Sequence, residues 1–105
     1  MGGVCRTSGV ISSSTVVSKV RSLLTSLHIV ATHDGANDVT IKIWDSNNTT
    51  TTSKTEITRF VYSATDPAFT KSIEYDMHNV VCDNGIYVQI TAGGSSSAAL
   101  SVEFS

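Results

Sequence analysis

Three histidines (His28, His33 and His78), two cysteines (Cys5 and Cys82) and the oxygen-bearing cluster Asp34, Asn37 and Asp38 are the residues here with the means for chemistry. Acid–base or nucleophilic catalysis needs a histidine within hydrogen-bond reach of a nucleophile and a further group to orient the ring. Nothing marks out such a set. Ser and Thr fill about 30 of the 105 positions, so a hydroxyl near a histidine is expected by chance. The Gly-x-Ser-x-Gly turn that exposes a serine nucleophile is missing. His28 and His78 fall on outward strand faces, where polar residues are ordinary, and His33 begins a turn. Asp34, Asn37 and Asp38 crowd one loop without the residue order of a calcium-binding hand, and turns built on their own side chains account for them. Zinc asks for three or four ligands at short spacing, and Cys5, His78 and Cys82 form only a loose set. Gly93-Gly94 lies between strands rather than opening a helix, the wrong context for a phosphate loop. The expectation is a chain with no catalytic residue, no metal and no cofactor.

Composition narrows the remaining classes. With 40% hydrophobic and 15% charged residues, a single Pro and seven Gly, the chain is too apolar for a disordered tail. No apolar run approaches the roughly 20 residues of a membrane-spanning helix. The net charge is -2 and the seven basic residues are scattered, so no phosphate-tracking stripe exists; Lys19 and Arg21 are the closest pair. Nucleic acid is therefore not an expected partner, nor is a membrane. The opening Met1-Gly2-Gly3-Val4-Cys5-Arg6 departs from a myristoylation signal at Arg6, and no apolar signal-peptide core follows. Without such a signal the two cysteines read as free thiols. The sequons at Asn47 and Asn48 read as a polar turn.

The elements that must position these side chains are strands. Val39, Ile41 and Ile43 alternate with Thr40, Lys42 and Trp44, the period-two signature of a half-buried strand. The same alternation runs through Ile73 to Met77, Ile86 to Ile90 and Leu100 to Phe104. Residues 56–63 carry apolar side chains on both faces, which suits either burial on both sides or an edge or subunit contact. Residues 19–33 fit two patterns: Val20, Leu23, Leu24, Leu27, Val30 and Ala31 have helical spacing, whereas Leu27, Ile29 and Ala31 alternate. Their Ser, Thr, Ile and Val content favours a strand, bulged near Leu23 and Leu24. Adding a short strand near Thr15 to Val17 gives about seven. Asp34-Gly35, Asp45-Ser46-Asn47, Asp66-Pro67, Asn84-Gly85 and Gly93-Gly94 supply the turns.

The reading is an all-β fold, an antiparallel β-sandwich of jelly-roll or immunoglobulin-like type spanning residues 15–105, with residues 1–14 as an extended N-terminal arm. A closed barrel is the alternative. A chain this short without disulfide or metal staples is expected to gain from partner contacts, hence a homo-oligomer.

The stretch Val39 to Asp45, the hydroxyl-rich turn after it, Asn84 to Thr91 with Gly93, and the closing Leu100 to Phe104 resemble small β-sandwich virion proteins of tailed bacteriophages, of the head decoration or cement type. The resemblance covers about two thirds of the chain, Leu27 to Phe104. It implies a structural protein on the outer surface of the capsid, often a trimer, bridging major capsid protein subunits. It also implies that the Asn-Gly hairpin strand pairs with the final strand. A tail or fibre component, or a carbohydrate- or receptor-binding module, is the alternative. Expected contact residues are Val4, Arg6 and Val10 in the arm and the outward aromatics Trp44 and Tyr62. Phe60 and Tyr87 are further candidates for outward positions, with core packing the alternative for each aromatic.

Overall fold

The computed structural model describes residues 5–33, 35–62 and 69–105, without the side chains of 33 and 69–71. The expectations that rest on Val4, Asp34, Asp66-Pro67 and the His33 side chain lie outside these residues. Eight strands are formed: β1 (Arg6–Thr7), β2 (Thr15–Ser18), β3 (Ser22–His33), β4 (Val39–Asp45), β5 (Thr55–Tyr62), β6 (Phe69–Cys82), β7 (Ile86–Ala92) and β8 (Ser97–Phe104). No described residue is helical. The strand beyond the expected seven is β1, two residues too short for any alternation to reveal.

The strands form two four-stranded antiparallel sheets, ordered β1-β8-β3-β6 and β2-β7-β4-β5. Four of the pairings are β1 with β8, β2 with β7, β3 with β6 and β4 with β5, so the chain runs as one long hairpin folded across both sheets. Pairing of β3 with β8 and β4 with β7 completes each sheet. This is the double-sheet jelly roll, not the immunoglobulin arrangement. Only β4 and β5 are joined by a hairpin within one sheet; every other connection crosses between sheets. One expectation is thereby corrected. β7, which follows Asn84-Gly85, does not pair with the final strand, because its two edges are taken by β2 and β4 while β8 lies in the other sheet between β1 and β3.

Alternation determines the core. Val39, Ile41 and Ile43 of β4 and Val88 of β7 face Leu27, Ile29, Leu100 and Val102 of the opposite sheet, all at most 2% exposed. Each such side chain contributes roughly 1.5–3 kcal/mol of transfer free energy. Within β3, the register against both neighbours shifts between Leu24 and Ser26, with Thr25 as the extra residue. On β6 the opposing extra residues include His78 and Asn79, both at positive φ (52° and 58°), and the Thr25 hydroxyl donates to Asn79 Oδ1 at 3.0 Å. The bulge resets the alternation, so Leu24 and Leu27 both point inward, three residues apart. That spacing is what imitates a helix in the sequence.

Residues 6–11 do not stand free as an arm. Arg6 and Thr7 pair with Phe104 and Glu103, the Ser8 amide donates to the Val102 carbonyl at 2.8 Å, and Ile11 and Leu100 exchange amide-to-carbonyl bonds at 2.8 and 2.9 Å. The side chains stay mostly exposed while the backbone covers the edge of β8.

Candidate functional site

One end of the sandwich is closed by polar groups. Asp45, at the end of β4, is 9% exposed, and its carboxylate accepts the amides of Asp83 at 3.2 Å and Asn84 at 2.8 Å. The β6–β7 turn is thus tied to the neighbouring sheet. Gly85 follows at φ 150°, and a Cβ there would run into the Ser18 carbonyl, lie 2.9 Å from the Ser46 carbonyl and 3.2 Å from Asn47 Cα. Only glycine fits. Ser46 is fully buried, its hydroxyl 2.9 Å from the Asn48 carbonyl and 3.1 Å from the Thr50 carbonyl. Ser18 and Ser22 share a hydroxyl–hydroxyl bond of 2.7 Å. These hydroxyls are bonded within the corner they build. Sequence reasoning found the turns here but not the role of Asp45, for which the closing carboxylate of a strand is the available signal.

The histidines and thiols assemble no catalytic set among the described residues. His28 lies on the outer face of the first sheet, its Nε2 3.3 Å from the Ser72 hydroxyl, with no third group hydrogen-bonded to the ring. His78 sits in the exposed bulge, Nδ1 3.6 Å from Asp76. Cys5 and Cys82 are free thiols, the first exposed and the second buried. Burial, and after it the Asp45 and Asp83 carboxylates, push the Cys82 thiol up to about 11. Partial desolvation and the Glu103 carboxylate, 3.7 Å away, also raise Cys5. Both shifts favour the protonated thiol over the nucleophilic thiolate. Among the described residues no group of three His, Cys, Asp or Glu could hold a metal ion.

What the fold displays instead is two broad faces. On the outer face of the first sheet, Val30 lies between Ser72 and Ala99, and His28 between Glu74 and Ser101. Val30 is 39% exposed and Val10, from the segment laid along β8, is 80% exposed. Together with His28, Ala99, Leu100 and Ser101 they line a shallow depression of about 150 Å³. On the outer face of the second sheet, Lys42 lies between Arg59 and Gln89, and Trp44 between Glu56 and Tyr87. The Trp44 indole N–H donates to Gln89 Oε1 at 3.0 Å, which holds the ring in place. Arg59 makes a two-pronged bond to Glu56 at 2.6 and 2.8 Å, and this bond holds the Glu56 carboxyl below its ordinary range.

The expected contact residues therefore part company. Arg6, Val10 and Trp44 are on the surface, in three different places. Tyr62 is not: it is 7% exposed, paired with Val39 on the inner face, and its buried hydroxyl has no hydrogen-bond partner among the described residues. Tyr87, at 5% exposed, is also buried, and the Phe60 ring packs against Tyr75 with centroids 4.4 Å apart. Strand β5 has an inner and an outer face like the others, and a bulge between its pairings to Ile43 and Trp44 blurs the alternation. No family model, no curated protein and no solved structure matches this chain.

Proposed function

We propose that this chain is a structural virion protein that decorates a phage head, docking on the outer surface of the capsid and bridging major capsid protein subunits as a homo-oligomer, with a trimer favoured. The observation that carries the reading is the outer face of the first sheet. It sets Ser72, Ala99 and Ser101 around the exposed Val10 and Val30, with His28, Glu74 and Glu103 further along the same face. Small side chains on a sheet allow close approach of another surface, and an exposed apolar patch rimmed by polar residues is the usual mark of a protein contact. The weak surface charge suits many copies crowded on one shell, because repulsion between them is small.

A second reading, a carbohydrate- or receptor-binding module, is favoured by one observation, the outward Trp44 held by Gln89. A fixed indole beside polar side chains is suited to stacking on a sugar ring. One experiment separates the two. Capsids stripped of this protein are incubated with the wild type, Val30→Glu and Trp44→Ala, and occupancy is measured after sedimentation. Capsid decoration through the first sheet predicts at least about a tenfold loss of occupancy for Val30→Glu, since burying an unpaired carboxylate is costly. Full occupancy of Val30→Glu overturns that reading. Binding of soluble oligosaccharide that Trp44→Ala abolishes favours the second.

A further inference from the structure

A cleft of about 230 Å³ opens at the end of the sandwich where β1, the β2–β3 link and the end of β8 meet. It is lined by Arg6, Ser18, Val20, Arg21, Ser22, Phe104 and Ser105, whose backbone is paired with Leu23. Arg6 and Arg21 are 15 positions apart in sequence and reach the same cleft only because β1 lies along β8 while the β2–β3 link crosses between the sheets. We propose that this cleft binds a carboxylate-bearing peptide segment, one acidic side chain flanked by an apolar one.

Four observations carry the inference. First, the Arg6 guanidinium has no ion pair or hydrogen bond among the described residues, although its neighbours are ordered in β1. Second, among the described residues Arg21 has a single loose ion pair, 3.5 Å to Asp83, with the two side chains 67% and 75% exposed. Such a surface pair is worth roughly 0–1 kcal/mol and yields easily to a better-placed anion. Third, Val20 is 68% exposed beside these cations, and Phe104 adds a second apolar wall. Fourth, the Ser18 and Ser22 hydroxyls are engaged with each other at 2.7 Å and with the Val20 carbonyl at 3.2 and 2.9 Å.

These features choose among anions. Guanidinium forks grip carboxylate and phosphate alike. A phosphate, however, rewards additional hydroxyl donors and gains nothing from Val20 and Phe104. The volume is below the roughly 300 Å³ at which small-molecule and cofactor pockets begin, and it suits a side chain with its flank. The inference goes beyond capsid decoration and stands whether or not the chain binds a capsid.

The test is an amide-resolved NMR titration of the full chain with acetyl-Leu-Asp-Leu-amide, with acetyl-Leu-Asn-Leu-amide and with inorganic phosphate. The Asp peptide is expected to shift the amides of Arg6, Val20, Arg21 and Phe104 and to saturate with a Kd of about 1 mM, a weak affinity in keeping with so small a contact. The Asn peptide, and the Arg6→Gln/Arg21→Gln double variant titrated with the Asp peptide, are each expected to bind at least about tenfold more weakly, through loss of the charge-assisted bonds. Both arginines are exposed, so the double variant keeps the fold, which its unshifted core resonances verify. Equal binding of the Asn peptide, unchanged binding by the double variant, or absence of shifts at these amides overturns the proposal. Phosphate saturating the same amides more tightly than the Asp peptide overturns it too, in favour of a simple anion site.

Discussion

The corner at Asp45 and the N-terminal segment along β8 close two exposed parts of the same sandwich by opposite means. At the corner, a buried carboxylate, buried hydroxyls and a glycine without room for a methyl group hold three connections in contact. Along β8, residues 6–11 contribute backbone hydrogen bonds and little buried side chain; Val10 is 80% exposed. The corner tolerates little change, because each group there is packed against backbone that cannot move. The segment covers an edge that would otherwise be open to another chain, and leaves its side chains free to vary or to meet a partner. The exposed apolar side chains Val10 and Val30 are accordingly found on the segment and a sheet face, not in the corner.

This contrast can be broken in order of expected effect. Gly85→Ala places a methyl group against the Ser18 and Ser46 carbonyls at a backbone conformation that L side chains rarely adopt. The expected loss is about 4 kcal/mol, read as the shift in denaturation midpoint; a loss below about 1 kcal/mol would show that the corner yields. Deleting the first 12 residues would leave the domain intact if they were a free arm. Because Ser8 and Ile11 bond to β8 and Ile11 packs on the core, the deletion is expected to cost about 2 kcal/mol. An unchanged midpoint would restore the free-arm reading.

The two cysteines report the same contrast at the smallest scale. Cys5 precedes β1 and is exposed, while Cys82 adjoins the corner and is fully buried. In native protein a thiol reagent is expected to label Cys5 and to reach Cys82 only on unfolding. The Cys82 thiol keeps its proton up to about 11 in the folded chain against an ordinary 9.0. The unfolded chain therefore gives up that proton first, so the linked stability is complete below pH 9.0 and is lost as pH rises to about 11. Comparing wild type with Cys82→Ala, the variant is expected to lose less stability over this interval. Equal slopes, or labelling of Cys82 in native protein as fast as of Cys5, would show that the corner opens.

Legibility in the sequence followed the physics of each element. The alternation in β4 and β8 marked their buried faces correctly, because one side of each strand faces a core and the other does not, whereas in β7 Tyr87 is buried on the opposite face from Ile86 and Val88. Residues 22–33 were legible as a strand through β propensity and the alternation of Leu27, Ile29 and Ala31, while the bulge at Thr25 superimposed helical spacing on the segment as a whole. Tyr62 was misplaced outward because β5 carries apolar groups on both faces, so no contrast between them remained to read. The Arg6–Arg21 cleft left no local trace, since its two cations approach through the crossing of strands between sheets.

By itself, then, the sequence determined the all-β class, the near count of strands and most of the core, because strand periodicity is written locally, residue by residue. It also determined the neutral, hydroxyl-rich coat. Tertiary structure alone decided which strands became neighbours, that the segment at 6–11 would seal an edge, that Asp45 would bridge two turns and that two distant arginines would share a cleft. Alternation says which way a side chain points relative to its own strand. It carries no information about which sheet that strand joins, and in a fold where nearly every connection crosses between sheets, that choice places every surface group.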